Sequence, residues 1–194
     1  DLQLLSPNPL TLFHHIPSPE AIAFCQTQND AMAALVGRYP EQFLGAAAVP
    51  MQDIDAAIRE AERAINELGL CAIYIGTHLP YDLDDPRLDA FYAAVTALDV
   101  PLFFHPASSG GVSGPDDARL ARFDMTLILG YAYEETIAAA QLVLGGVVDR
   151  HPQLDICLSH GAGATTFLIP KFEGWAKVRD WAPDSVQELG FTQV

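Results

Sequence analysis

Two histidines stand at the ends of strand-like runs. Pro101-Leu102-Phe103-Phe104 leads into His105, and Asp155-Ile156-Cys157-Leu158-Ser159 leads into His160. A neutral imidazole can ligate a metal, and the same ring can carry a proton near pH 7. In βα barrels the reactive residues sit where strands end. The repeated placement therefore points to a metal-dependent barrel enzyme. Pro106 biases His105 towards extended backbone, which aims its ring off the strand tip. Gly161-Ala162-Gly163-Ala164 follows His160, and residues this small let a neighbouring backbone or ligand come close. Each histidine also has a plainer reading. His105 could be a buried ring bonded to a carbonyl, and Ser159 and His160 could simply cap a strand-to-helix turn. Their recurrence in one chain favours function.

Other candidates are weaker. His78, in Gly76-Thr77-His78, lies three residues past a strand end, on the same rim. It is the candidate substrate contact, although loop histidines are often only solvated. His14 and His15 follow the first strand and could line the pocket. His151 falls at a helix C-terminus, where a cation is favoured, and reads as structural. Glu134 and Glu135 fall at a helix start, where carboxylates are favoured in any case. Arg119, Arg122, Lys171, Lys177 and Arg179 are candidate anion contacts, though each reads better as a surface charge, and Trp175 and Trp181 read as packing residues. There is no G-x-S-x-G elbow, no H-E-x-x-H helix and no H-x-H pair. A catalytic metal site needs about three protein ligands and an open position. His105 and His160 are half of one.

The elements that carry these residues alternate strand with helix. Strands are expected at Leu2 to Leu5, Phe43 to Val49, Cys71 to Ile75, Val100 to Phe104 and Leu154 to Leu158. Ser18-Pro19 supplies an N-cap and an N1 proline. The helix that follows carries Ile22, Cys25, Met32, Leu35 and Val36 on one side. Asp53 caps a helix whose Ile54, Ala57, Ile58, Ala61, Ile65 and Leu68 repeat at helical spacing. Gly69 ends it. Asp85-Pro86 opens a helix with Leu88, Phe91, Tyr92, Val95 and Leu98 inward. A glycine-rich loop runs from Ala107 to Asp117, and helical pattern then resumes through Leu129. A further helix from about Glu134 turns Ile137, Ala140, Leu144 and Val148 inward. Strand–helix alternation means a parallel sheet. The fold class is α/β, about five βα units of a (β/α)8 barrel that needs eight. A five-stranded doubly wound sheet is the rival, but no G-x-G-x-x-G or Walker A loop follows a strand.

Composition narrows the partners. The net charge of -15 argues against nucleic acid or an anionic membrane, since both need a basic face. The longest apolar stretch, Ile137 to Val148, is too short to span a bilayer, and no secretory signal pattern is present. Cys25, Cys71 and Cys157 are widely separated and form no C-x-x-C pair, so neither a disulfide framework nor a zinc ribbon is indicated. A reducing cytoplasm fits. Cys71 and Cys157 lie in apolar runs and read as core.

The chain resembles the amidohydrolase-related metal enzymes, most of all the branch containing aminocarboxymuconate-semialdehyde decarboxylase and γ-resorcylate decarboxylase. The matching segments are Tyr39-Pro40-Glu41-Gln42-Phe43-Leu44-Gly45, Val49-Pro50-Met51-Gln52-Asp53, Gly76-Thr77-His78 and Leu83-Asp84-Asp85-Pro86-Arg87-Leu88. They continue with Val100-Pro101-Leu102-Phe103-Phe104-His105-Pro106, Glu134-Glu135-Thr136, Gly145-Gly146-Val147-Val148-Asp149-Arg150-His151-Pro152 and Leu158-Ser159-His160-Gly161. Each is weak alone; the ordered set is fairly specific.

The resemblance implies one barrel domain over 1–194 that lacks the first strand and the last strand or strands. It implies one divalent metal, most often zinc, with manganese the alternative. By that likeness His105 is a metal ligand. His160 is the catalytic histidine that holds or deprotonates the metal's water, and His78 lies in the rim loop. The family's H-x-H on the first strand and its aspartate on the last strand belong outside the ends of this chain. Where the decarboxylase uses an arginine from the neighbouring subunit to hold a carboxylate, the corresponding place is near Pro170-Lys171. A lysine there offers only a point charge. The implied activity is non-oxidative decarboxylation of a small unsaturated or aromatic carboxylic acid, by a homo-oligomer, a dimer, when complete. Hydrolysis of an amide, lactone or ester on the same fold is the first alternative. A non-catalytic domain that kept the scaffold and lost the ligands is the second.

Overall fold

A computed structural model describes residues 1–107 and 118–192. The glycine-rich loop expected from Ala107 to Asp117 therefore lies, beyond its first residue, outside the described residues. Among the described residues five strands form one sheet: β1 (Gln3–Leu5), β2 (Phe43–Ala48), β3 (Ala72–Gly76), β4 (Leu102–His105) and β5 (Ile156–Leu158). All neighbours are parallel, and their order is β1-β2-β3-β4-β5. Each new strand adds beside the last. A doubly wound sheet instead reverses direction at a switch point, so the rival topology is excluded. The architecture is five successive βα steps of a (β/α)8 barrel, an open half-barrel.

The helices are α1 (Ser18–Arg38), α2 (Ile54–Asn66), α3 (Asp89–Leu98), α4 (Tyr131–Leu144), α5 (Val147–Arg150), α6 (Thr165–Ala176) and α7 (Asp184–Leu189). Local chemistry sets their ends. The Asp53 carboxylate accepts the Ala56 N–H at 2.9 Å, as an N-cap should. Gly69 takes a φ of +70°, and Leu70 N–H closes back on the Ala64 carbonyl at 3.0 Å. Asp85-Pro86 opens a short 3-10 turn, Pro86–Leu88, which feeds α3. At α1 the cap falls on Pro17 rather than Ser18, because Ala21 N–H bonds the Pro17 carbonyl at 3.0 Å.

The sheet has two different faces. Ala47, Ile73, Ile75, Leu102 and Phe104 pack with Ala57, Ala61, Phe91, Tyr92, Val95 and Leu142 of the helices in the main core. The alternate residues, Ala46, Ala48, Ala72, Tyr74 and Phe103, turn to the other side. His105 shares the parity of Phe103, so it too leaves the helix-packed face. Cys157, paired with Phe103, lies on this second face and is exposed, not core. It sits on the outermost strand of the sheet, where little packs over it. Cys71 is half-buried.

Two helices bury stripes that hydrophobicity alone misplaces. In α1 the buried residues are Ala21, Cys25 and Asn29, while Leu35 is exposed. Asn29 is fully buried and fully used. Its amide donates to the Ala48 carbonyl at 2.8 Å and to Glu60 at 2.7 Å, and its Oδ1 accepts the Ala48 N–H at 2.9 Å. It ties α1 to the end of β2 and to α2. In α4 the buried stripe is Glu135, Ala138, Ala139 and Leu142; Ile137, Ala140 and Leu144 are half-buried. The helix also starts earlier than Glu134. A wide turn over Thr126–Gly130 runs straight into it. Trp175 and Trp181 are about half exposed, with Arg179 stacked on Trp175 at 4.4 Å.

Candidate active site

The end of β4 sets the position of His105. Its Nδ1 lies 2.8 Å from the Pro106 carbonyl oxygen. A carbonyl can only accept, so Nδ1 carries the hydrogen and Nε2 keeps its lone pair. Tying down one ring nitrogen in this way fixes the tautomer and direction of a metal-binding histidine. The ring is half-buried, and burial, with the nearby His160, lowers its proton affinity. Tyr74 lies at 6.0 Å and Tyr131 at 5.8 Å between ring centroids.

His160 arrives from the neighbouring strand. Its ring centroid is 4.7 Å from that of His105 and 5.6 Å from that of Tyr131. The turn that presents it, Ser159–Ala162, is left-handed at His160, with φ 49° and ψ 31°. Non-glycine residues adopt this region rarely. Packing holds it here. Gly163 backs onto α4 so closely that a Cβ would lie 2.0 Å from the Ala132 carbonyl oxygen and 2.7 Å from Thr136 Oγ1. Ala164 N–H donates to that same Thr136 hydroxyl at 2.9 Å. The close approach expected of the small residues after His160 thus occurs at Gly163, and α4 is what approaches.

Glu135 lies beneath this turn. It has no exposed surface. The Ser159 hydroxyl donates to its Oε1, which also lies 3.9 Å from His160 Nδ1. Its Oε2 is buried without a partner among the described residues. Burial raises its pKa to about 7, the Ser159 bond working the other way. It is therefore not a helix-start carboxylate. Glu134 is, in the first turn of α4, and its Oε2 lies 3.9 Å from His78 Nδ1.

The remaining histidines separate. His78 is more than half exposed and, with Thr77, Tyr81, Tyr133 and Glu134, lines an open cleft of about 420 Å³. His14 is buried. Its Nε2 accepts the Gly76 N–H at 3.1 Å, and its Nδ1 has no partner among the described residues. Burial, with His15 and His78 nearby, pushes its pKa down to about 4. His15 is exposed against Phe13. His151 bonds Asp89 at 3.0 Å and packs on Tyr92, a structural place. Lys171 is exposed on α6. Among the described residues no three His, Cys, Asp or Glu side chains converge as a metal group would require.

A strand-end histidine pair on a five-step parallel arc is the geometry to compare with known proteins. The amidohydrolase family profile matches residues 18–185. The chain belongs to the amidohydrolase family. It is 32% identical over 174 residues to 2-amino-3-carboxymuconate-6-semialdehyde decarboxylase of Dictyostelium discoideum, covering 89% of this chain and 47% of that protein. It is 34% identical over 182 residues to gamma-resorcylate decarboxylase of Rhodococcus jostii, covering 84% and 54% respectively. A dihydroxybenzoic acid decarboxylase of Polaromonas, solved with manganese and 2-nitroresorcinol, superposes with a TM-score of 0.75 at 26% identity, over 93% of this chain and 59% of that one. This amidohydrolase chain spans about half the length of the curated relatives it matches.

The structure brings His105 and His160 together, and leaves His78 on a neighbouring cleft. Sequence reasoning missed that Tyr74, Tyr131 and the buried Glu135 lie beside the histidine pair. For Glu135 a signal existed: it stands at i with Ala138, Ala139 and Leu142 at i+3, i+4 and i+7. That is the apolar stripe of a helix, where a carboxylate needs a reason to be.

Proposed function

We propose that this chain is the central part of a metal-dependent decarboxylase acting on a small unsaturated or aromatic carboxylic acid. The single observation that carries the reading is the His105–His160 pair, 4.7 Å apart at the ends of adjacent parallel strands. His105 fits a metal ligand because Nδ1 is tied to Pro106 and Nε2 is left with a free lone pair. A divalent ion there supplies a Lewis acid that polarises and orients the substrate. Zinc is our first choice, with manganese, which is bound in the Polaromonas structure, the alternative. His160 gives a proton to the unsaturated carbon that bears the carboxylate, and the carboxylate leaves as CO₂. Tyr74 and Tyr131 offer aromatic walls for a planar substrate. His78 sits on the rim as a substrate contact.

The further ligands, an H-x-H pair and an aspartate on outer strands, belong to parts of the barrel outside this chain, and 1–194 is one portion of one domain. The complete enzyme is proposed to act as a homodimer in the cytoplasm. Among the described residues no helix is long and apolar enough to cross a membrane. The test uses the protein as its gene encodes it, loaded with zinc or manganese, against a panel of hydroxybenzoates, unsaturated diacids, and lactones, esters and amides. Release of CO₂ is expected. Ring-opened or hydrolysed product without CO₂ would put hydrolysis in its place.

A further inference from the structure

A proton-carrying histidine needs something to fix which ring nitrogen holds the proton. Glu135 is placed to do so for His160. The carboxylate is wholly buried. One oxygen takes the Ser159 hydroxyl and lies 3.9 Å from His160 Nδ1. The other has no partner among the described residues. A carboxylate kept only for stability is expected to be fully bonded, since each unsatisfied buried oxygen costs free energy. Glu135 is not fully bonded, and Oε1, the oxygen that faces His160 Nδ1, can accept a second hydrogen beside that of Ser159. Ser159 and His160 are adjacent, so the bond to Ser159 holds the carboxylate beside the next ring. A shift of about 1 Å would close the 3.9 Å gap to hydrogen-bond length. Such bonds are often long before substrate arrives.

We propose that Glu135 is the positioning residue for His160: its carboxylate draws the imidazole Nδ1–H towards α4 and leaves Nε2 as the nitrogen that takes up the proton and then delivers it to the substrate carbon. The proposal rests on the reading of His160 as the proton carrier. It gives α4 a part in the site, because α4 supplies both Glu135 and the Ala132–Thr136 surface on which Gly163 is seated.

The test compares Glu135→Gln with Glu135→Asp in the metal-loaded protein as its gene encodes it. Glutamine keeps the volume and an acceptor for Ser159 but has no charge. Aspartate keeps the charge and leaves a small void. If Glu135 positions His160, Glu135→Gln lowers kcat by about 10- to 100-fold with KM little changed, the usual size for an outer-shell partner. Glu135→Asp then retains more kcat than Glu135→Gln. A purely structural carboxylate gives the opposite order, because glutamine fills the site better, and that order overturns the proposal. A second readout needs no turnover: ¹⁵N NMR of the His160 ring. The Nδ1–H tautomer is expected in the parent and its loss in Glu135→Gln. An unchanged tautomer overturns the proposal. A tautomer shift in a protein that releases no CO₂ from any acid of the panel would keep Glu135 as the positioning residue and remove the decarboxylase reading alone.

Discussion

Replacing Gly163 by alanine should dislodge His160 without touching it. The added Cβ would stand 2.0 Å from the Ala132 carbonyl oxygen, where ordinary contact begins at 3.4 Å. The turn and α4 must then part by more than about 1 Å. Overpacking of this kind costs about 1–3 kcal/mol. Gly163 also holds φ 61° and ψ −126°, a region closed to side chains, which adds about 1–3 kcal/mol. The expected loss is about 4 kcal/mol in all, the sum of the two mid-range costs. Parting the turn also breaks the Ala164 N–H bond to Thr136. A displacement of about 1 Å at a reacting group lowers turnover about 100-fold. Gly161→Ala is the control. Gly161 has a φ of +63°, but a methyl group added there would meet nothing within 4 Å, so only the left-handed strain of about 1–2 kcal/mol applies. Urea unfolding of the three proteins, with kcat on the substrate found, measures both effects. Gly163→Ala within about 1 kcal/mol of Gly161→Ala would refute the close approach, and with it the account of how the turn is held.

Asn29→Leu should cost about 3 kcal/mol or more by urea unfolding, because it strands the Ala48 N–H and carbonyl and one bond to Glu60 in the interior. His14 has a folded pKa of about 4, against 6.5 for an ordinary histidine. A depressed pKa means its contribution is present above about pH 6.5 and is lost as pH falls towards 4, up to about 3 kcal/mol. Unfolding of the parent and of His14→Gln at about pH 7 and about pH 4.5 should show the parent losing more; equal losses would remove His14 from the account. His160→Ala should abolish turnover while metal content stays at the parent's level, as measured by inductively coupled plasma mass spectrometry on the purified variant.

Much of this arrangement could be read in the residues, and the exceptions share a cause. Strand ends at His105 and His160, the Asp53 cap and the Gly69 stop depend on local chemistry, which sequence carries directly. The parallel sheet was legible too, from the strand–helix alternation, while the order β1-β2-β3-β4-β5 that decides against a doubly wound sheet came from the structure. What escaped depends on partners distant in sequence. Asn29 is buried because Ala48 and Glu60 meet it, residues 19 and 31 positions away. Glu135 rotates the buried stripe of α4 because Ser159, 24 positions on, bonds it. Hydrophobic periodicity scores such polar residues as surface, so it placed Ile137 and Leu144 inward instead. Cys157 failed for a different reason: an apolar strand residue is core only where something covers its face, and β5 is the last strand of the sheet.

The measurement that tests the central claim most directly is the divalent metal content of the protein as its gene encodes it, beside that of His105→Ala. Among the described residues the His105 side chain bonds its neighbour's carbonyl alone, so its removal should leave the metal-free fold intact by urea unfolding. The account predicts about one divalent ion per chain in the parent and its loss in the variant. A His105→Ala protein that holds the metal as tightly as the parent would contradict it.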